Sequence, residues 1–128
     1  MKIEKREKEN ATILSINGDL ICGGIDELET QFKLSCDIAR HVILDLLHTR
    51  YLSARALGIM AFYVKDLRKK QKELKLINVN EHIMKLLAIT GLFKLIEIYE
   101  NEDVAIASMG NQVGKLERML LYSGKNPD

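Results

Sequence analysis

The sequence has no tryptophan, a single proline, and aromatic residues at only 5% of its 128 positions. So few rings leave little from which to build a platform for stacked nucleic-acid bases. Charge of one sign is missing too. Nineteen Lys and Arg stand against eighteen Asp and Glu, a formal net charge of +1. No strong field steers such a chain toward nucleic acid or an anionic membrane. No apolar run approaches the roughly 20 residues a membrane span needs. The opening MKIEKREKEN is charged, with no apolar signal segment behind it. These absences lead us to expect a cytoplasmic protein with no membrane span and no nucleic-acid partner. Cysteines are two, Cys22 and Cys36, fewer than a disulfide framework uses, and free thiols are expected. His41, His48 and His82 pair with no Cys, His or carboxylate at a familiar ligand spacing. No metal or cofactor site is expected.

What the chain does have is apolar residues, 47% of the total, at a length suited to one domain. Lys2–Glu7 alternates weakly and reads as an edge strand. A short turn near Lys8-Glu9-Asn10 leads to a second strand in Ala11–Leu20, which ends at the turn signal Gly18-Asp19. Gly23-Gly24 permits a sharp entry into a helix whose stripe is Ile25, Leu28, Phe32, Cys36 and Ala39. His41–Leu47 is too continuously apolar for a half-exposed strand and reads as a central one. Ser53 is placed to cap a second helix along Leu57, Met60, Ala61, Val64 and Leu67. Arg68-Lys69-Lys70 lie at its end, where cations suit the dipole. Glu73–Val79 is another strand. Asn80 caps a helix with Ile83, Leu86 and Leu87 that stops at Gly91. Leu95–Tyr99 is a last strand, and Asn101 caps a helix to about Ser108. Strands alternating with helices predict an α/β fold: a mostly parallel mixed sheet with an N-terminal antiparallel hairpin strand and about four helices.

Residues 110–128 stand apart as an extension beyond a domain of residues 1–109. Val113, Leu116, Met119, Leu120 and Leu121 form one apolar stripe among Lys115, Glu117 and Arg118, and Gly110 supplies a hinge. A helix this short is marginal alone in water, so the stripe must dock. Its own domain, a second copy in a homodimer and a latch over a partner surface all remain open. The last residues, Ser123–Asp128, carry no core-forming side chain.

Three stretches, in this order of elements, resemble the STAS family of bacterial anti-sigma factor antagonists and related domains. They are Val42-Ile43-Leu44-Asp45-Leu46, then Tyr51-Leu52-Ser53-Ala54-Arg55-Ala56-Leu57-Gly58, then Leu87-Ala88-Ile89-Thr90-Gly91-Leu92-Phe93-Lys94-Leu95 with Ile96-Glu97-Ile98-Tyr99 behind it. The second is a degenerate form of the family's aromatic-aliphatic pair followed by Asp-Ser-Ser-Gly-Leu-Gly. Where the family's phosphorylated members carry the acceptor serine, this chain has Arg55. The preceding serine is Ala54, the aspartate Ser53 and the glycine Ala56, and a second acidic position falls on Ile21. The resemblance thus implies a STAS-like fold and a protein partner, such as an anti-sigma factor or kinase-like ATPase. It does not carry over the usual phosphoserine switch.

The candidate partner-binding residues are Ile21, Cys22, Gly23, Ser53, Ala54 and Arg55. Ile21, Cys22 and Gly23 form an apolar loop where the family has polar residues. That loop either meets a partner or is buried under the hairpin. Arg55, in the first turn of the second helix, meets the positive end of the dipole. It pairs with an acidic or phosphorylated partner group, or is simply solvated, or pairs with Asp19 or Glu27 nearby. Ser53 has a hydroxyl able to take phosphate, though capping alone accounts for it. Asp45 reads as a structural carboxylate at the end of its strand. Lys65, Arg68, Lys69, Lys70 and Lys72 read as a solvated basic end. No paired acids, Ser-His-Asp set or Gly-rich phosphate loop accompanies these residues, so no enzyme is expected. The alternative function is a ligand-sensing or scaffold subunit. It would hold a small anion or nucleotide near Leu47-His48-Thr49 and Arg55.

Overall fold

A computed structural model describes residues 2–21 and 23–109. The elements run β1 (Lys2–Lys8), β2 (Ala11–Asn17), α1 (Ile25–Asp37), β3 (His41–His48), α2 (Ala54–Lys69), β4 (Leu74–Ile77), α3 (Glu81–Thr90), a 3₁₀ turn (Leu92–Lys94), β5 (Glu97–Tyr99) and α4 (Glu102–Met109). The five strands lie in sequence order in one sheet. β1 pairs antiparallel with β2, and every other neighbouring pair is parallel. This is the mixed α/β architecture the element order predicts. The proposed extension at 110–128 and its stripe lie outside the described residues.

Alternation along the strands divides the core in two. Leu14, Leu44 and Leu76 share one row of the register and face α1, α2 and α3. Ile13 and Ile43 share the neighbouring row and face α4, with Ala105, Ile106 and Met109 packed over them. The larger layer is knit by Phe32 of α1 stacked on Tyr63 of α2, ring centroids 5.2 Å apart. Phe32 is fully buried, a burial worth about 1.5–3 kcal/mol in apolar transfer. In the edge strand β1 all residues but Ile3 are exposed, and its charges, such as Lys2, Glu4 and Lys5, discourage pairing with another sheet.

The local stops and starts are where the sequence puts them. Ser53, Asn80 and Asn101 each accept a helix-opening N–H: Ser53 Oγ from Ala56, Asn80 Oδ1 from Ile83, Asn101 Oδ1 from Val104. Gly91 closes α3 in the left-handed region at φ 77°, the conformation a C′ glycine serves. Four expectations change. Glu73–Val79 contributes only Leu74–Ile77 to the sheet. Ala39 lies outside α1, exposed, at φ 56°; α1 stops at Asp37, so the spacing that includes Ala39 continues past the helix. Leu95–Tyr99 contributes only Glu97–Tyr99 to the sheet, because the N–H groups of Leu95 and Ile96 bond back to Leu92 O of the preceding 3₁₀ turn. Leu47, inside the run read as buried, is 61% exposed at the carboxyl end of β3.

Candidate functional site

At the carboxyl end of the parallel strands, the loop between β2 and α1 lies alongside the loop between β3 and α2. Leu20 and Leu52 form an isolated parallel bridge. Around it the N–H of Gly18 donates to His48 O (3.1 Å), that of Leu20 to Tyr51 O (3.1 Å) and that of Ser53 to Leu20 O (2.8 Å). Asp19 completes the join. Its Oδ1 accepts from the backbone N–H of Arg50 (2.9 Å) and Tyr51 (3.3 Å), and its Oδ2 meets the Arg50 guanidinium at 3.3 Å. The Arg50 amide, with smaller help from Tyr51 and the guanidinium, holds the Asp19 carboxyl below the usual carboxylate range.

A second layer of bonds fixes the loops beneath. Thr49 Oγ1 donates to Ile16 O at 2.9 Å. Asn80, while capping α3, also donates from Nδ2 to Thr49 O at 3.0 Å. Asp45 Oδ1 accepts from Leu47 N (3.1 Å) and Asn78 Nδ2 (2.9 Å), the structural use expected of it.

This scaffold brings together the candidates read from two segments about 30 residues apart. Ile21 is 51% exposed and follows Leu20, which is bonded to Ser53. It is not covered by the hairpin. Gly23, Ala54 and Arg55 are exposed, and Ser53 is half-buried. Cys22 lies outside the described residues. Ser53 is spent as a cap. Arg55 has an ion-pair partner, Asp26 of α1, at 2.7 Å, and neither Asp19 nor Glu27 fills that role. The first turn of α2 has no acidic residue of its own, whereas α1 carries Asp26 and Glu27 in its first turn. The pair therefore offsets a cation placed at the positive end of a helix dipole. Both side chains face solvent, so the pair contributes at most about 1 kcal/mol to stability.

Two further groups on this surface are not among the candidate partner-binding residues read from the sequence. Tyr51 makes an edge contact with His82 at the start of α3 (centroids 5.1 Å apart), and the Arg50 guanidinium lies 5.6 Å from the Tyr51 centroid. Leu47 adds an exposed apolar side chain. Tyr51, at least, had a hint: it opens the degenerate motif at 51–58. The basic end of α2 is partly structural. Lys70 Nζ donates to Cys36 O at 2.8 Å, and Arg68 donates to Leu95 O. Cys36 is a buried free thiol whose pKa burial pushes up.

The family model described as the STAS domain matches residues 2–105. The chain belongs to the STAS domain family. Among curated relatives, the STAS domain here is similar to the anti-sigma F factor antagonist of Paenibacillus polymyxa. The two are 25% identical over 114 residues, which cover 85% of this chain and 95% of the relative. It is also similar to the anti-sigma-B factor antagonist of Staphylococcus aureus, 27% identical over 105 residues, 81% of this chain and 97% of the relative. Among solved structures, an anti-sigma factor antagonist from Mycobacterium paratuberculosis matches at a TM-score of 0.76 and 17% identity. That match covers 86% of this chain and 94% of the other. The phosphorylated form of the Bacillus protein SpoIIAA matches at 0.67 and 12%, covering 83% and 97%. At those identities the structural matches carry the fold, which is that of a STAS domain.

Proposed function

We propose that this STAS domain is a non-catalytic regulator that binds and sequesters a protein partner, an anti-sigma factor of the kinase-like ATPase type, in the cytoplasm. The observation that carries the reading is the surface at the carboxyl end of the sheet. There Ile21, Gly23, Ala54 and Arg55 stand exposed on two segments joined by backbone hydrogen bonds. A pre-ordered surface loses little ordering entropy on binding. Support also comes from the curated relatives, which carry the name anti-sigma factor antagonist over nearly their whole length.

The usual phosphoserine switch is left out of the proposal. Positions 54 and 55 have no hydroxyl, and the Ser53 hydroxyl is already bonded to the Ala56 amide. Control then rests on the supply of partner or on the Arg55–Asp26 pair. An acidic partner group can compete for the guanidinium. The ligand-sensing alternative has less support, because two of the polar groups it names are already engaged: Thr49 with Ile16 O and Arg55 with Asp26. Calorimetry tests both. Titration with the host's anti-sigma factor gives saturable heat under the first reading. Titration with ATP, ADP or phosphate gives heat only under the second.

A further inference from the structure

A groove of about 520 Å³ opens between α3, the 3₁₀ turn and β5, lined by Met84, Ala88, Phe93, Ile96, Ile98 and Tyr99. Met84 and Phe93 are exposed, and Ile89 on the same helix is 82% exposed. Among the described strands β5 pairs only with β4, so the groove borders a sheet edge. An apolar concavity of this kind suits an amphipathic segment laid along it.

We propose that residues 111–122 of the same chain dock in this groove. The chain leaves α4 at Met109, which is buried in the cluster formed with Ile43 and Ile77. Tyr99 packs against that same cluster and also lines the groove. The next segment therefore starts from a cluster that borders the groove through Tyr99. Gly110, Asn111 and Gln112 reach up to about 10 Å when extended, about two strand spacings, for a path that runs from the α4 face round the β5 edge. Directly after them comes the stripe Val113, Leu116, Met119 and Leu120, which needs an apolar surface to be ordered at all.

Charge fits as well. On a helix Lys115 and Glu117 border opposite sides of that stripe. The groove's strand wall carries Glu97. On the helical wall Lys85 and Lys94 directly follow Met84 and Phe93 in the chain, and all three charges are exposed. Docking would set Lys115 beside Glu97, which also holds Lys75 and Tyr99, and Glu117 beside the lysines. Docking in this groove does not depend on which partner the other site binds.

Isotope-filtered NMR on the full chain tests it. Nuclear Overhauser contacts are expected from the Leu116 and Leu120 methyls to the Phe93 and Tyr99 rings in uniformly labelled protein. In an equimolar mixture of labelled and unlabelled chains, no contact should run between the two. Leu116→Asp and Ala88→Glu should each abolish the contacts and raise amide exchange in α3 and β5 several-fold. Ala88 is exposed on α3, so its variant should fold. Absence of these contacts in the wild type, or their appearance between labelled and unlabelled chains, overturns the proposal; the second result assigns the groove to another copy.

Discussion

The guanidinium of Arg55 donates to the carboxylate of Asp26 at 2.7 Å, joining the first turn of α2 to the first turn of α1. The pair sits on the exposed face proposed to bind a partner, and it decides what Arg55 can offer. Arg55→Glu replaces attraction to Asp26 with repulsion between exposed groups, so thermal stability should change by less than about 1 kcal/mol. Partner affinity should fall by about 1–3 kcal/mol, because an interface cation becomes a repulsive anion. Asp26→Ala frees the guanidinium and should tighten binding to an acidic partner surface. Paired titrations and melting curves check both variants. Unchanged affinity in both would reduce Arg55–Asp26 to a surface ion pair.

Ser53 is predicted to act only as a cap. Ser53→Ala should cost about 1 kcal/mol of stability through the lost bond to the Ala56 amide. Mass spectrometry after incubation with ATP and the cognate kinase should find no phosphate at residues 53–55. Phosphate on Ser53 would restore a displaced switch.

Asp19 should make the loop join sensitive to acid. Its folded pKa lies below the ordinary value because the Arg50 and Tyr51 amides and the Arg50 guanidinium stabilise the carboxylate. Its contribution is therefore complete above the ordinary carboxylate range and disappears as pH falls through the lower, folded value. Hydrogen exchange at the Arg50 and Tyr51 amides should accelerate in that acid window. Asp19→Ala should show the fast exchange at neutral pH as well.

Lys75 provides a second pH-dependent element on the face of the sheet below α4. Its ammonium is buried, pairs with Glu73 and Glu97, and lies 5.4 Å from the Tyr99 ring centroid. Burial alone would lower the Lys75 pKa, but the two carboxylates outweigh it and leave the group raised. Burial raises Glu97, yet the bonds from Lys75 and Tyr99 bring it below its ordinary value. Stability from Glu97 is thus lost as pH falls below the carboxylate range, and that from Lys75 only as pH rises past its own raised value. Glu97→Gln should flatten the acid side of the curve of melting temperature against pH. An acid limb identical to the wild type would show that Glu97 does not set it.

Much of this was legible because it is local. Asn80, Gly91, Ser53 and Asn101 mark helix ends through bonds three or four residues away, and the sequence displays such signals directly. The exposed Ile21 and Arg55 were legible as candidates through the degenerate stretch at 51–58 and the loop before α1. Asp26 as the partner of Arg55 was not, because Asp19, Asp26 and Glu27 are equally close candidates in sequence. Only the approach of α1 to α2 selects one. Asp19 as the tie between two loops was hidden for the same reason: its partners lie 31 and 32 residues away. Ala39 and Leu47 misled in a different way. A helical period or an apolar run does not register where the element ends or where its cover stops.

The central claim is that the linked loops at the carboxyl end of the sheet bind an anti-sigma factor. The most direct test is calorimetric titration of the host's anti-sigma factor with the wild type and with Ile21→Asp. Ile21 is half-exposed and is not one of the buried core residues, so the variant should melt like the wild type. The expected result is saturable wild-type binding that weakens at least tenfold in the variant, about 1.4 kcal/mol or more. Equal affinities for the two proteins would contradict the claim.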